Sequence, residues 1–324
     1  MSVGRAVFTV LASALVVITV QAASFAPPQW AYGVGEKGAA YLDDGKPKRL
    51  AGSTRAYTFK QIEDSFAPAD WYPADHPKMP LVPVATGRRP DLRACSWCHL
   101  PNGFGHPQSA SLAGLSGAYL TRQIADFKSG ARHASVGNSI MANISRAMTA
   151  DESRMAIDYY SKLRRRPWIK VTEAAMAPKT VIVEGGLRIQ SQPEVVEPLG
   201  DRIVEVPRLP ARTRLYDSHS GFVAYVPIGS IKRGREFVAI GAGKVQPCST
   251  CHGKDLRGAE HAPDSTLPVP GLTGRSPTYI IRQLYDFHSG ARSGPGAMLM
   301  KPIATQMSLR DMIDVAAYLG SLTP

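Results

Sequence analysis

Behind a single positive charge at Arg5, residues 6–20 form an unbroken run of apolar and small side chains. The run is shorter than the about 20 residues that cross a bilayer. With the small-residue pattern Val20-Gln21-Ala22, it predicts a signal peptide over 1–22, and a retained anchor is the alternative. Prolines dominate next, at Pro68, Pro73, Pro77, Pro80 and Pro83, with one short helical pattern at 58–64. Residues 23–94 therefore read as an irregular extension, anchored by Trp30 and Trp71.

Helical patterning is clear further on. Ser116 and Ser276 suit helix N-caps, Pro277 takes the favoured first position, and Gly130 and Gly290 suit the exits. Ser230 reads as the cap of a helix over 231–240 that leaves at Gly241. Thr149-Ala150-Asp151-Glu152 is a capping box, with Ser308-Leu309-Arg310-Asp311 as a weaker counterpart, so two more helices follow. Arg164 to Arg166 suit the negative end of the first of these before Pro167 stops it, and Gly320 stops the second. Between them, 181–183, 203–206 and 222–226 are strand-like pieces separated by proline, glycine and charge, which predicts a strapped linker with a small sheet over 167–229.

These helices are two copies of one pattern. Leu112, Gly114, Ser116, Tyr119, Arg122, Gln123, Asp126, Phe127, Gly130 and Arg132 recur 160 positions later as Leu272, Gly274, Ser276, Tyr279, Arg282, Gln283, Asp286, Phe287, Gly290 and Arg292. The offset then becomes 159, pairing Met141 with Met300, Ile144 with Ile303, Met148 with Met307 and Tyr159 with Tyr318.

Composition adds little: 44% hydrophobic and 20% charged residues suit a globular chain, which argues against disorder and multiple membrane spans. The net charge of +12 is compatible with an acidic partner. No nucleic-acid motif accompanies it, and neither nucleic acid nor a small-molecule substrate is expected.

The cysteines carry the chemistry. All 4 lie in two pairs, each running into histidine: Cys95-Ser96-Trp97-Cys98-His99 and Cys248-Ser249-Thr250-Cys251-His252. C-x-x-C-H attaches c-type haem. Two thiols at this spacing reach the two vinyl groups of one porphyrin, and the adjoining imidazole is held beneath the iron. A zinc site or a redox disulfide would also use C-x-x-C, but neither requires the histidine, and the pairs lie some 150 residues apart. Two covalently bound haem c groups, each with its iron, are the expected cofactors.

Both halves resemble class I cytochromes c, most closely the bacterial di-haem kind with tandem domains. The resemblance covers roughly half the chain, 95–163 and 230–322. It implies a mainly α fold of two tandem class I cytochrome c domains, at 95–166 and 230–324, with irregular N-terminal and interdomain segments, and a crossing of the 231–240 helix with the terminal helix at which Gly234 and Phe237 meet Tyr318. It also implies that a methionine on the loop before each terminal helix is the sixth iron ligand: Met141 and Met300 opposite His99 and His252. Met298 is a rival for Met300, while Met148 and Met307 read as core. Pro270 would offer its carbonyl to the proximal histidine, with Ala110 in the matching place. Tyr119, Gln123, Arg132, Tyr279, Gln283 and Arg292 are candidates for propionate contacts, with helix packing and a solvated face as the plain alternatives.

Iron held by histidine and methionine has both axial positions filled, so the expected role is single-electron transfer in the periplasm. The expected partners are donor and acceptor proteins: a membrane dehydrogenase, a quinol-oxidising complex or a terminal oxidase. A di-haem peroxidase, and the cytochrome subunit of a membrane-associated dehydrogenase, are the alternatives. Two-haem thiosulfate-oxidising enzymes with a cysteine ligand are disfavoured because no cysteine is spare.

Overall fold

The computed structural model describes Met1 and residues 25–39, 43–137 and 139–324. The expected signal peptide, apart from Met1, lies outside the described residues. No described helix is long and apolar enough to cross a membrane.

The extension carries α1 (Phe59–Ile62), closed by a capping box between Thr58 and Gln61. The first copy consists of α2 (Cys95–His99), α3 (Gly117–Ser129), α4 (Ile140–Ala147) and α5 (Ala150–Ser161). Ser116 caps α3, and Gly130 ends it in the left-handed region. The connection holds β1 (Ile169–Glu173), β2 (Met176–Pro178), β3 (Thr180–Ile182), β4 (Arg188–Gln190), β5 (Val196–Pro198) and β6 (Val204–Pro207). It closes with α6 (Pro210–Thr213) and β7 (Phe222–Val226). The second copy runs through α7 (Ser230–Ile240), α8 (Ser249–His252), β8 (Gly258–Ala259) and β9 (Val269–Pro270). It ends in α9 (Pro277–Ser289), α10 (Pro295–Thr305) and α11 (Leu309–Ser321).

In the second copy α7 crosses α11 at Gly234. A Cβ there would lie 1.9 Å from the Asp314 carbonyl oxygen and 2.8 Å from Cβ of Tyr318, so only glycine allows the approach. In the first copy a proline-rich turn over 81–85 takes the place of that helix. Its Val84 is fully buried with Leu92, Tyr159, Tyr160 and Leu163 against α5, and its Val84 carbonyl accepts from Ser96 Oγ at 2.8 Å.

The connection is more than a strap. β7 pairs in parallel with β1 and antiparallel with β6. The inward side chains Ala224 and Val226 join Ile203, Ile281, Ile313 and Ala316 in the second copy's core. Both copies are helical, and the three-stranded mixed sheet packs on the core of the second. Trp71 is buried in a cluster with Leu50, Ile62 and Tyr72, its Nε1 donating to the Leu215 carbonyl at 2.6 Å. Trp30 packs on the second copy's core.

Three expected details differ. Gly229, in the left-handed region, caps α7, and the Ser230 hydroxyl donates backwards to the Pro227 carbonyl. Gly320 sits inside α11 where a Cβ would meet Pro277 Cγ at 2.6 Å, so it permits contact with α9 rather than ending the helix. Met141 and Met300 lie on α4 and α10, not on loops.

Candidate haem sites

Each attachment motif folds as a short helix, which turns both cysteines of a pair and the histidine around one helical end. The thiols are not paired as disulfides. Burial pushes the Cys95 thiol up to about 12, and Cys98 and Cys248 to about 11. That is opposite to the lowered pKa of redox-active C-x-x-C thiols. Among the described residues no three His, Cys, Asp or Glu side chains converge on one point.

The histidines are oriented by carbonyls. His99 Nδ1 lies 2.8 Å from the Ala110 oxygen, and His252 Nδ1 lies 2.8 Å from the Pro270 oxygen. A carbonyl only accepts, so each Nδ1 carries the proton and each Nε2 keeps its lone pair for a metal. The first copy keeps the bond although alanine replaces proline, because the main chain supplies the acceptor. Burial also lowers both imidazole pKa values, favouring the neutral, ligating form.

A cavity of about 950 Å³ is lined by Cys95, Cys98, His99, Met141 and Met148 of the first copy and reaches Tyr279, Arg282 and Gln283 of the second. Its size lies at the upper end of the roughly 300–1,000 Å³ usual for cofactor sites. In the second copy Met300 packs against both the main core and the cluster of Phe287, Ala297 and Ala304, whereas Met298 is 65% exposed. Met148 and Met307 are buried core, as expected.

The candidate propionate residues meet across the interface between the copies. Arg132 donates to Gln123 Oε1 at 2.7 Å, to Gln283 Oε1 at 2.8 Å and to the Tyr279 hydroxyl at 3.2 Å. Arg292 mirrors it, donating to Gln283 at 3.0 Å and Gln123 at 2.7 Å. The main chains pair there too: His133 N donates to the Ala291 oxygen at 2.9 Å, and Ser293 N to the Ala131 oxygen at 2.7 Å.

Two arginines that sequence reasoning passed over stand beside this pair. Arg275 and Arg282 are each at least nine-tenths buried, like Arg132 and Arg292. Arg282 donates to the carbonyls of Ala31 and Pro107, and Arg275 to those of Gly271 and Ser111. Arg275 was visible in the repeat as a guanidinium where the first copy has Leu115. All four side chains donate to neutral oxygens. An unpaired buried charge costs several kcal/mol, so the cluster calls for anions. Two haems bring four propionate carboxylates, and in that respect the residues present fit the group.

The family model for cytochrome c matches residues 238–323. The chain belongs to the cytochrome c family, as a bacterial class I c-type cytochrome with two tandem domains and two covalently bound haem c groups. It is 38% identical over 84 residues to cytochrome c-554(548) of Halomonas halodenitrificans, covering 93% of that protein and 26% of this chain. It is 25% identical over 234 residues to the thiosulfate dehydrogenase electron acceptor of Thiomonas intermedia, covering 80% of that protein and 72% of this chain. Against cytochrome c4 of Stutzerimonas stutzeri it is 26% identical over 203 residues, covering 83% of that protein and 60% of this chain. It is a di-haem electron-transfer cytochrome.

Proposed function

We propose that this cytochrome is an exported, periplasmic carrier that passes single electrons between protein partners through two irons ligated by His99 with Met141 and His252 with Met300. Cys95 and Cys98 tether the first haem, and Cys248 and Cys251 the second. The domains would span 95–166 and 230–324. The haem, when bound, supplies a one-electron couple. The chain's own groups do the rest: the Ala110 and Pro270 carbonyls fix the two imidazoles, and a buried thioether favours the reduced state without offering a proton site.

The observation that carries this reading is the first cavity, which brings His99 and Met141 into one wall-lined space beside both cysteines of the motif. Methionine at the same place in both copies leaves no open axial position for peroxide. Similarity to the Thiomonas electron acceptor over most of both chains favours a partner dehydrogenase that oxidises thiosulfate. The buried cluster of four arginines, Tyr119, Tyr279 and the glutamines would hold the propionates.

The test is spectroscopic. The holoprotein should retain two haems through acid-acetone extraction and show a methionine-to-iron charge-transfer band when oxidised. Met141→Leu and Met300→Leu should each remove about half of that band and lower one haem potential, while Met298→Leu leaves both unchanged. A full band in Met300→Leu, or a five-coordinate high-spin centre in the unsubstituted protein, would overturn the assignment.

A further inference from the structure

In the second copy Tyr318 of the terminal helix lies against Gly234 of α7. In the first copy the matching Tyr159 of α5 is met instead by His76, a residue of the N-terminal extension. The His76 side chain is 5% exposed. Its Nδ1 lies 2.9 Å from the Pro77 carbonyl oxygen and 3.2 Å from the Tyr159 hydroxyl, and its Nε2 lies 3.2 Å from Asp70 Oδ1.

The partners fix the protonation of the ring. The Tyr159 hydroxyl spends its one proton on the Pro101 carbonyl at 2.6 Å, so towards His76 it can only accept. The Pro77 carbonyl and the Asp70 carboxylate accept as well. Only the imidazolium, with a proton on each nitrogen, satisfies all three. Burial by itself would lower the pKa of His76, but the bonds to Asp70 and Pro77 and the charges of Asp70 and Asp75 outweigh it and raise the value above 6.5. Asp75 in turn pairs with His219 of the connection, and burial pushes the Tyr159 phenol up, which keeps it neutral.

This charge stands behind the first attachment motif. Pro101, whose carbonyl Tyr159 holds, is two residues beyond His99, and the ring of Tyr160, next on α5, lies edge-on to His99 at 6.1 Å between centroids. A buried cation here disfavours ferric iron.

We propose that His76 is a redox-linked proton site that tunes the potential of the first haem and leaves the second to itself. The proton site stands on the geometry just given; its action on the first iron rests on the function proposed above. When a donor protein passes one electron to the first iron, the positive charge there falls by one and His76 binds a proton from water more tightly. Reoxidation by an acceptor protein returns both. At low pH the ring is charged and the potential high; as pH rises through the His76 pKa the charge is lost and the potential falls.

The test is a series of redox titrations on the holoprotein from pH 5 to 9, with the first haem identified as the one whose potential Met141→Leu lowers. At fixed solution potential, the reduced-to-oxidised ratio of the first haem should fall several-fold more than that of the second across the series. His76→Gln should remove the difference, His219→Gln should keep it, and Asp70→Asn should move it to lower pH. In NMR of the ring protons, His76 should titrate at higher pH in the reduced protein than in the oxidised one. The idea is overturned if the two haems fall alike in the parent, if the difference survives His76→Gln, vanishes in His219→Gln or stays unmoved in Asp70→Asn, or if His76 titrates at one pH in both oxidation states. Should His76→Gln lose haem, Asp70→Asn and the NMR titration of the unsubstituted protein decide the matter. Failure of the ligand assignment would show separately, as a missing charge-transfer band in the unsubstituted protein.

Discussion

Glu205 illustrates how a single residue can carry both structure and pH dependence. It lies on β6, 2% exposed and facing the start of α9, where its Oε2 accepts from Ser276 Oγ at 2.6 Å, from Thr278 N at 3.0 Å and from the Thr278 hydroxyl. Its Oε1 is buried without a partner. Burial raises the carboxyl above 4.5, and the three donors and the Arg282 charge only partly offset it. An acid whose folded pKa is raised binds its proton more tightly when folded. Its stabilising contribution is therefore complete below about 4.5 and is lost as pH rises through the folded value. Glu205→Gln keeps an acceptor for the Ser276 and Thr278 donors and cannot ionise. In denaturant unfolding of the holoprotein from pH 4 to 8, the variant should gain on the parent as pH rises. Parallel curves would show that folding leaves the Glu205 carboxyl unshifted.

Helix pairing in the second copy depends on glycine contact at two places, Gly234 against α11 and Gly320 against α9. Gly234→Ala must push α7 from α11, because the obstacle is the Asp314 carbonyl and not a side chain that can turn aside. Overpacking of this kind costs about 1–3 kcal/mol. Gly296 in α10 has nothing within 4 Å of its Cβ position, so Gly296→Ala should be neutral or stabilising by up to about 1 kcal/mol. Thermal unfolding of the two variants beside the parent checks the contrast, and equal melting temperatures would remove the glycine crossing as the cause. The Gly234 contact with Tyr318 was legible only through the resemblance, which implies that the helix before the attachment motif crosses the terminal one. The matching element of the first copy was not legible: a proline-rich turn has no period, and only the folded chain brings Val84 onto α5. Two strands of the sheet, β6 and β7, were legible as the strand-like runs at 203–206 and 222–226, whereas β1 was not. That β1 and β6 flank β7 was not, since local sequence holds no pairing information for strands so far apart.

At the scale of the molecule, the two copies meet through a near-symmetric exchange. Each interface arginine serves its own glutamine and the other copy's, so Gln123 Oε1 and Gln283 Oε1 each accept from both Arg132 and Arg292. The constant offset made the two copies legible, and it singled out these four side chains as matched. It could not show that they face one another, because a polar residue matched between repeats looks the same whether it meets solvent, a cofactor or its own counterpart. The shared acceptors have a measurable consequence. Arg132→Leu leaves Gln123 and Gln283 one donor each, from Arg292; Arg292→Leu does the converse; the double variant leaves them none. Side chains in one hydrogen-bond network couple by about 0.5–3 kcal/mol. The double variant should therefore depart from the sum of the single losses by at least that much, whereas Arg132→Leu combined with the distant Lys162→Ala should be additive. Each loss also removes a buried positive charge from between the two haem sites, so both potentials should fall together in either single variant. Additivity of Arg132→Leu with Arg292→Leu, or a fall confined to one haem, would mean that the copies carry their electrons as separate domains rather than through a common charged seam.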